Sequence, residues 1–143
     1  MCQLIYLGST ADLGEVPFNA VDPGFYYRRI TSEEQGYDSV QRLLDLPYLY
    51  FIGGSQGCSC TLTYTEPWEN APELNAEREI AMAEVGQMLT FLSEQLHRAE
   101  LRLLCTWWDK VEAEMGVSET YVLTRVGDAF EFPLDKVLQL RRL

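Results

Sequence analysis

One long amphipathic helix constrains the fold of this chain more than any other sequence feature. Its apolar residues recur at helical spacing and form a single stripe: Ala81, Val85, Met88, Leu89, Leu92 and Leu96. Pro72 suits the first turn, Asn70 and Glu73 match an N-cap pair, and the positive end of the helix dipole favours the glutamates that follow. A helix of about seven turns with one apolar face requires a sheet or other helices to cover that face.

Apolar segments before and after this helix predict buried strands. Cys2 to Leu7 and Tyr48 to Ile52 are rich in β-branched and aromatic residues, and each stops at a glycine. Leu101 to Trp107 follows the helix and has the same character. The resulting strand, helix, strand order suggests a right-handed crossover between parallel neighbours.

Weaker patterns complete the expected organisation. They predict an edge strand at Phe25 to Ile30, a short helix after the Thr31 and Glu34 capping pair, an extended segment at Thr61 to Tyr64, a hairpin over 121–132 that turns at Gly127-Asp128, and a last strand or short helix over 134–143. We expect one globular domain over residues 1–143, because this length suits a single core. The expected fold is α/β, with α+β as the alternative: a mixed sheet of four to six strands, one long and one shorter helix, in two or three layers.

The charge balance excludes two classes of partner. Asp and Glu number 22 against 11 Lys and Arg, and the net charge of −11 would repel a phosphate backbone or an anionic bilayer. The apolar run from Leu46 to Ile52 is far shorter than the ~20 residues that span a membrane, and no secretory signal is visible. With four cysteines and no need for disulfides, we expect reduced thiols and a cytoplasmic location.

A cysteine-containing loop follows the Tyr48 to Ile52 strand. Three glycines within five positions, ending in Gly57, allow a tight turn beside Cys58 and Cys60. If the first strand lies next to this one, Cys2 could reach the same rim. We therefore predict Cys2, Cys58, Cys60 and Gly57 as a binding site. The alternative is that Cys58 and Cys60 are small, half-buried turn residues.

Other chemistries have less support from the sequence. A structural zinc site would need a fourth ligand, from Cys105 or His97. The glycine loop matches no phosphate-binding pattern. Met1-Cys2 is similar to the start of N-terminal nucleophile hydrolases, although the chain is short for that family. His97, the only histidine, suits a helix end, so no catalytic residue and no cofactor is predicted.

Three segments resemble a set of small bacterial proteins. These segments are Met1 to Leu7, Pro23 to Phe25, and Pro47 to Gly53 with the following Gly57 to Cys60. The set shares a Met-Cys start, a proline-containing loop, a Tyr-rich strand and Gly-Cys-Gly-Cys, where this chain has Ser59 in place of the second glycine. The resemblance implies a soluble, single-domain bacterial protein whose three cysteines belong together, and it implies no activity.

Two functional hypotheses follow. In the first, the chain is a non-enzymatic binding domain that docks a protein partner or a second copy of itself through aromatic residues such as Trp68, Trp108 or Tyr26. In the second, Cys58 and Cys60, with Cys2, form a redox-active thiol pair or bind a soft metal. Whether the chain is an enzyme stays open at this point.

Overall fold

A mixed sheet of six strands organises the computed structural model, which describes residues 2–107, 118–124 and 127–142. The strands are β1 (Gln3–Ser9), β2 (Tyr26–Arg29), β3 (Tyr48–Gly53), β4 (Leu101–Trp107), β5 (Glu119–Val122) and β6 (Val137–Arg141). Their spatial order is β2-β3-β1-β4-β6-β5, and every neighbouring pair is antiparallel except β5 and β6. The predicted α/β class, with a mixed sheet and two α-helices of unequal length, is confirmed.

Helices cover both faces of the sheet. The alternation of side chains along β1 sends Ile5 and Leu7 into the core under helix α2 (Pro72–Gln95), and it sends Tyr6 into a smaller core under helix α1 (Tyr37–Leu44). The molecule therefore has three layers, with β1 at the centre of the sheet.

The apolar stripe of α2 is buried as the sequence predicts. Ala81, Val85, Met88, Leu89 and Leu92 are buried against the sheet. The predicted N-cap is wrong by one residue, because Asn70 has a left-handed backbone (φ 57°) and the cap position is Ala71. The predicted short helix also forms, as α1, and its residues Val40 and Leu44 are buried.

The predicted Thr31 capping pair forms ahead of α1 rather than on it. The Thr31 N–H donates to the Glu34 carboxylate at 2.7 Å, but the helix begins at Tyr37, after Gly36 with its positive φ of 83°. The pair therefore stabilises a turn that leads into the helix.

Two predicted strand connections are wrong. β3 and β4 do run parallel, but they are not neighbours, since β1 lies between them and pairs antiparallel with both. The hairpin over 121–132 is also absent from the described residues: β5 pairs in parallel with β6, and Phe130 pairs with Tyr64 instead. Residues 125 and 126 of that segment lie outside the described ranges.

Some of the remaining predictions are confirmed and others are not. β2 is an edge strand, and the last segment is the strand β6. The expected extended segment from Thr61 to Tyr64 is confirmed only in part: Thr61 belongs to a 3-10 turn over Ser59–Thr61, whereas Tyr64 pairs antiparallel with Phe130. No helix in the described part of the chain is long and apolar enough to cross a membrane.

Candidate thiol site

The antiparallel pairing of β1 and β3 brings three cysteines together. Ile5 lies opposite Ile52, so the start of β1 and the loop that follows β3 meet at one edge of the sheet. The sulfur atoms of Cys2, Cys58 and Cys60 all lie within 4.8 Å of one another. Within the described ranges, they form the one group of three or more Cys, His, Asp or Glu ligand atoms at such distances. The convergence that the sequence left conditional on strand order is present.

The loop that carries Cys58 is a closed turn. The Gly57 N–H donates to the Gly54 carbonyl at 2.9 Å, and the Gly54 N–H donates to the Cys58 carbonyl at 2.8 Å. Gly57 has a φ of 81°, a conformation that L side chains rarely adopt, and its carbonyl accepts a hydrogen bond from the Tyr26 hydroxyl. Gly57 thus shapes the loop through its backbone and has no side chain to offer a ligand.

Ser59 anchors the two loop cysteines to the sheet. Its buried hydroxyl accepts a hydrogen bond from the Ile5 N–H at 3.0 Å and donates one to the Ile52 carbonyl. The side chain thereby pairs two backbone groups where the hydrogen bonding between β1 and β3 ends. Because Ser59 stands between Cys58 and Cys60 in sequence, this anchor fixes both. Sequence reasoning noted Ser59 only as a departure from the resembling proteins.

Glu84 ties the same loop to α2. Its buried carboxylate accepts hydrogen bonds from the Ser55 N–H and, at 2.9 Å, from the Ser55 hydroxyl. Gly54 is required beside it, because a Cβ at that position would collide with the Thr61 hydroxyl and the Glu84 carboxylate. Sequence reasoning missed Glu84, although a signal exists: it is a glutamate within the apolar stripe, three residues after Ala81 and one before Val85.

The surroundings of Cys60 favour its neutral thiol. Burial, a hydrogen bond to Cys58 and the neighbouring sulfurs raise the pKa of Cys60 to about 11, against a smaller lowering effect of the Gln3 backbone N–H. A nucleophilic or redox-active cysteine ordinarily has a lowered thiol pKa. The surroundings of Cys60 therefore oppose formation of its thiolate, and a bound cation would favour it.

Cavities open on both sides of the cluster. A cavity of about 260 Å³ has Cys2 and Cys58 on its wall, together with the Arg28 and Glu34 ion pair. A cleft of about 370 Å³ on the other side has Cys60 on its wall. Cys2 is exposed and the other two cysteines are half-buried, so an ion from solvent can reach the sulfur atoms.

The two residues considered as a fourth ligand do not join the cluster. Cys105 is buried within β4, where its sulfur accepts a hydrogen bond from the Gln3 side chain at 2.8 Å. Burial raises the pKa of the Cys105 thiol to about 12. His97 follows α2 and lies 3.1 Å from Arg142, beside the opposite end of β4.

The three aromatic residues named as candidates for a contact surface differ in their exposure and in whether the structure describes them. Trp68 is exposed, as the docking hypothesis requires. Tyr26 is buried within the chain and its hydroxyl donates to the Gly57 carbonyl, so little of its side chain is available to a partner. Trp108 lies outside the described residues.

Comparisons with known proteins assign no family to this chain. No protein-family model matches it, and no curated protein and no solved structure is significantly similar to it.

Proposed function

We propose that this protein binds a soft metal ion, monovalent copper or zinc, through the thiolates of Cys2, Cys58 and Cys60. The observation that carries the proposal is the mutual approach of three sulfur atoms from two segments that are distant in sequence. Sulfur ligands around zinc stand roughly 3.8 Å apart, given a bond of about 2.3 Å and tetrahedral angles. The three thiols are thus within about 1 Å of that spacing.

The chemistry of the ligand set favours soft ions. Thiolates select monovalent copper and zinc over magnesium or calcium, which prefer oxygen. Three thiolates together carry a charge of −3, which a bound cation partly neutralises. Binding replaces the thiol protons with the metal, so the raised pKa of Cys60 is a cost that the metal–sulfur bond offsets.

Positioning residues support the same proposal. Metal ligands need neighbours that hold them in place, and here Ser59 fixes the backbone between Cys58 and Cys60 while Glu84 fixes the start of the loop. The role proposed is binding rather than catalysis. All four cysteines are free, which suits a reducing compartment, and we place the protein in the bacterial cytosol on that ground and on the resemblance.

A thiol-redox role is the second reading of the same cluster. The distances allow any two of the three sulfurs to approach and form a disulfide after a modest movement. We rank this role below metal binding because attack requires a thiolate and the environment of Cys60 opposes its ionisation.

Metal titration of the reduced protein tests the proposal. Zinc and, under anaerobic conditions, monovalent copper are titrated against a chromogenic chelator, with wild type and the variants Cys2→Ser, Cys58→Ser and Cys60→Ser. We expect one ion per chain, and a loss of at least about tenfold in affinity for each variant. Cys105→Ala is the matched control, since it removes a thiol outside the cluster, and it should bind as wild type does.

Two results would overturn the proposal. One is a failure of the folded, fully reduced protein to compete with the chelator for either ion. The other is equal affinity in Cys60→Ser and wild type, with circular dichroism showing both folded.

A further inference from the structure

A cleft lined by both polar and large apolar side chains lies beside the thiol site. Its volume is about 370 Å³, and it is formed by the start of α2 and the segment that precedes this helix. Trp68, Leu74 and Ile80 line it with exposed fractions of 55%, 45% and 55%. Large apolar side chains that are exposed together around a concavity are typical of an interaction surface.

Trp68 is held in its exposed position. Its backbone N–H donates to the Asn75 side-chain oxygen at 2.8 Å, and the Asn75 amide donates back to the Trp68 carbonyl at 2.8 Å. Both bonds tie the tryptophan to the first turn of α2. A tryptophan that is presented on a fixed backbone loses little conformational freedom when it binds, which suits the anchor of an interface.

The rim of this cleft is negatively charged. Glu77 lies on its wall, and the exposed residues Glu66, Glu69 and Glu73 stand within two positions of Trp68 or Leu74. Arg78 also lines the cleft and keeps its positive charge; its guanidinium donates to the carbonyls of Thr65 and Asp128 and lies over the Tyr64 ring. The four glutamates on and beside the cleft outnumber this one arginine, so the net charge around the cleft is negative.

We infer that this cleft docks a basic segment of a partner protein, which inserts one large apolar side chain beside Trp68 and places Lys or Arg against the glutamates. Charge complementarity selects this occupant. A second copy of the chain is disfavoured, because it carries the same acidic rim and a net charge of −11. The cleft is small compared with a standard protein–protein interface, so it suits a peptide-like segment rather than a broad surface.

A displayed library of random peptides of about twelve residues is the probe. Selection on the immobilised protein should enrich peptides that combine Lys or Arg with one Leu, Ile, Met or Phe. Binding of a selected peptide, measured by fluorescence anisotropy, should weaken at least fivefold or so in Trp68→Ala and in the double variant Glu73→Gln, Glu77→Gln. The control Glu15→Gln, Glu33→Gln removes the same charge from exposed positions outside the cleft and should leave binding unchanged.

Other outcomes would refute the inference. These are enrichment of no sequence, enrichment of sequences without cations, equal binding by Trp68→Ala, or equal losses in the two double variants, which would indicate only nonspecific attraction. Self-association in sedimentation experiments that Trp68→Ala abolishes would assign the cleft to a second copy instead. None of these measurements requires bound metal, so the metal proposal stands or falls separately.

Discussion

Ser59 shows how one side chain can decide the geometry of a site without contacting a ligand. Its hydroxyl pairs the Ile5 N–H and the Ile52 carbonyl at the place where β1 and β3 separate. A residue without a hydroxyl at this position would leave both backbone groups without this partner. The two cysteines that flank it depend on this buried pairing for their position.

Removal of the Ser59 hydroxyl should therefore destabilise the protein. Ser59→Ala leaves a buried donor and a buried acceptor unpaired, which costs about 1–3 kcal/mol in the free energy of unfolding. Urea denaturation of wild type and variant at the same pH measures the difference. Ser32→Ala is a control, since Ser32 is exposed to solvent and its replacement should cost less. A change below about 0.5 kcal/mol for Ser59→Ala would mean that water reaches both backbone groups.

At the scale of elements, α2 carries a polar group into its apolar face. Glu84 belongs to the stripe that packs on the sheet, yet its carboxylate reaches the loop after β3 and accepts hydrogen bonds from Ser55. Through Glu84, the long helix binds the start of the loop that presents Cys58. The position of the thiol loop therefore depends on the position of the helix.

We expect Glu84→Ala to weaken metal binding although Glu84 contacts no sulfur ligand directly. Loss of a group that orients metal ligands typically lowers affinity about 10–100-fold. The chelator competition described above provides the measurement, and Glu79→Ala, an exposed glutamate on the same helix, is the matched control. Since Glu84→Ala could also lower stability, both variants are compared at a temperature where circular dichroism shows them folded. Wild-type affinity in Glu84→Ala would show that the loop keeps its shape without the helix.

Local sequence patterns predict the helices and strands better than they predict which strands pair with each other. The apolar runs of β1, β3 and β4 and the stripe of α2 are visible in sequence because burial imposes composition and period. Which strand lies beside which is a long-range choice. Nothing near Phe130 indicates that it pairs with Tyr64, and nothing in β5 indicates a parallel partner.

The thiol site divides in the same way. The glycine loop and its cysteines are evident from spacing, and the approach of Cys2 follows only once β1 and β3 are known to be antiparallel neighbours. The supporting residues are harder to find. Ser59 and Glu84 act through hydrogen bonds to distant backbone or loop groups, and such partners leave no local pattern in the sequence.

For the whole molecule, the two proposed sites share one edge. Cys60 belongs to the sulfur cluster and also lines the cleft that contains Trp68. A partner segment docked in that cleft would therefore lie next to the metal. The net charge of −11 is consistent with the basic partner proposed for that cleft.

Metal binding by the folded chain should stabilise it, and more so as the pH rises. The ion would join the start of β1 to the loop after β3, a site that exists only in the folded chain. Zinc at a free concentration of 100 times its dissociation constant therefore adds about 2.7 kcal/mol to the free energy of unfolding, or roughly 8 °C to Tm. Cys60 carries its proton in the metal-free protein at any pH well below its raised pKa of about 11. Binding must release that proton, and this one thiol therefore makes affinity rise about tenfold for each pH unit between 6.5 and 7.5.

Calorimetric scans and chelator competition at pH 6.5 and 7.5, with free zinc buffered at one concentration, measure the two effects. Cys60→Ser is the informative variant, because it lacks the thiol whose proton is released. Its zinc affinity should be lower than that of wild type, and it should rise by about tenfold less for each pH unit. Cys105→Ala should keep the full dependence, because Cys105 lies outside the cluster. An affinity that is the same at both pH values in wild type would mean that Cys60 gives up no proton to the metal, and hence that it is not a ligand.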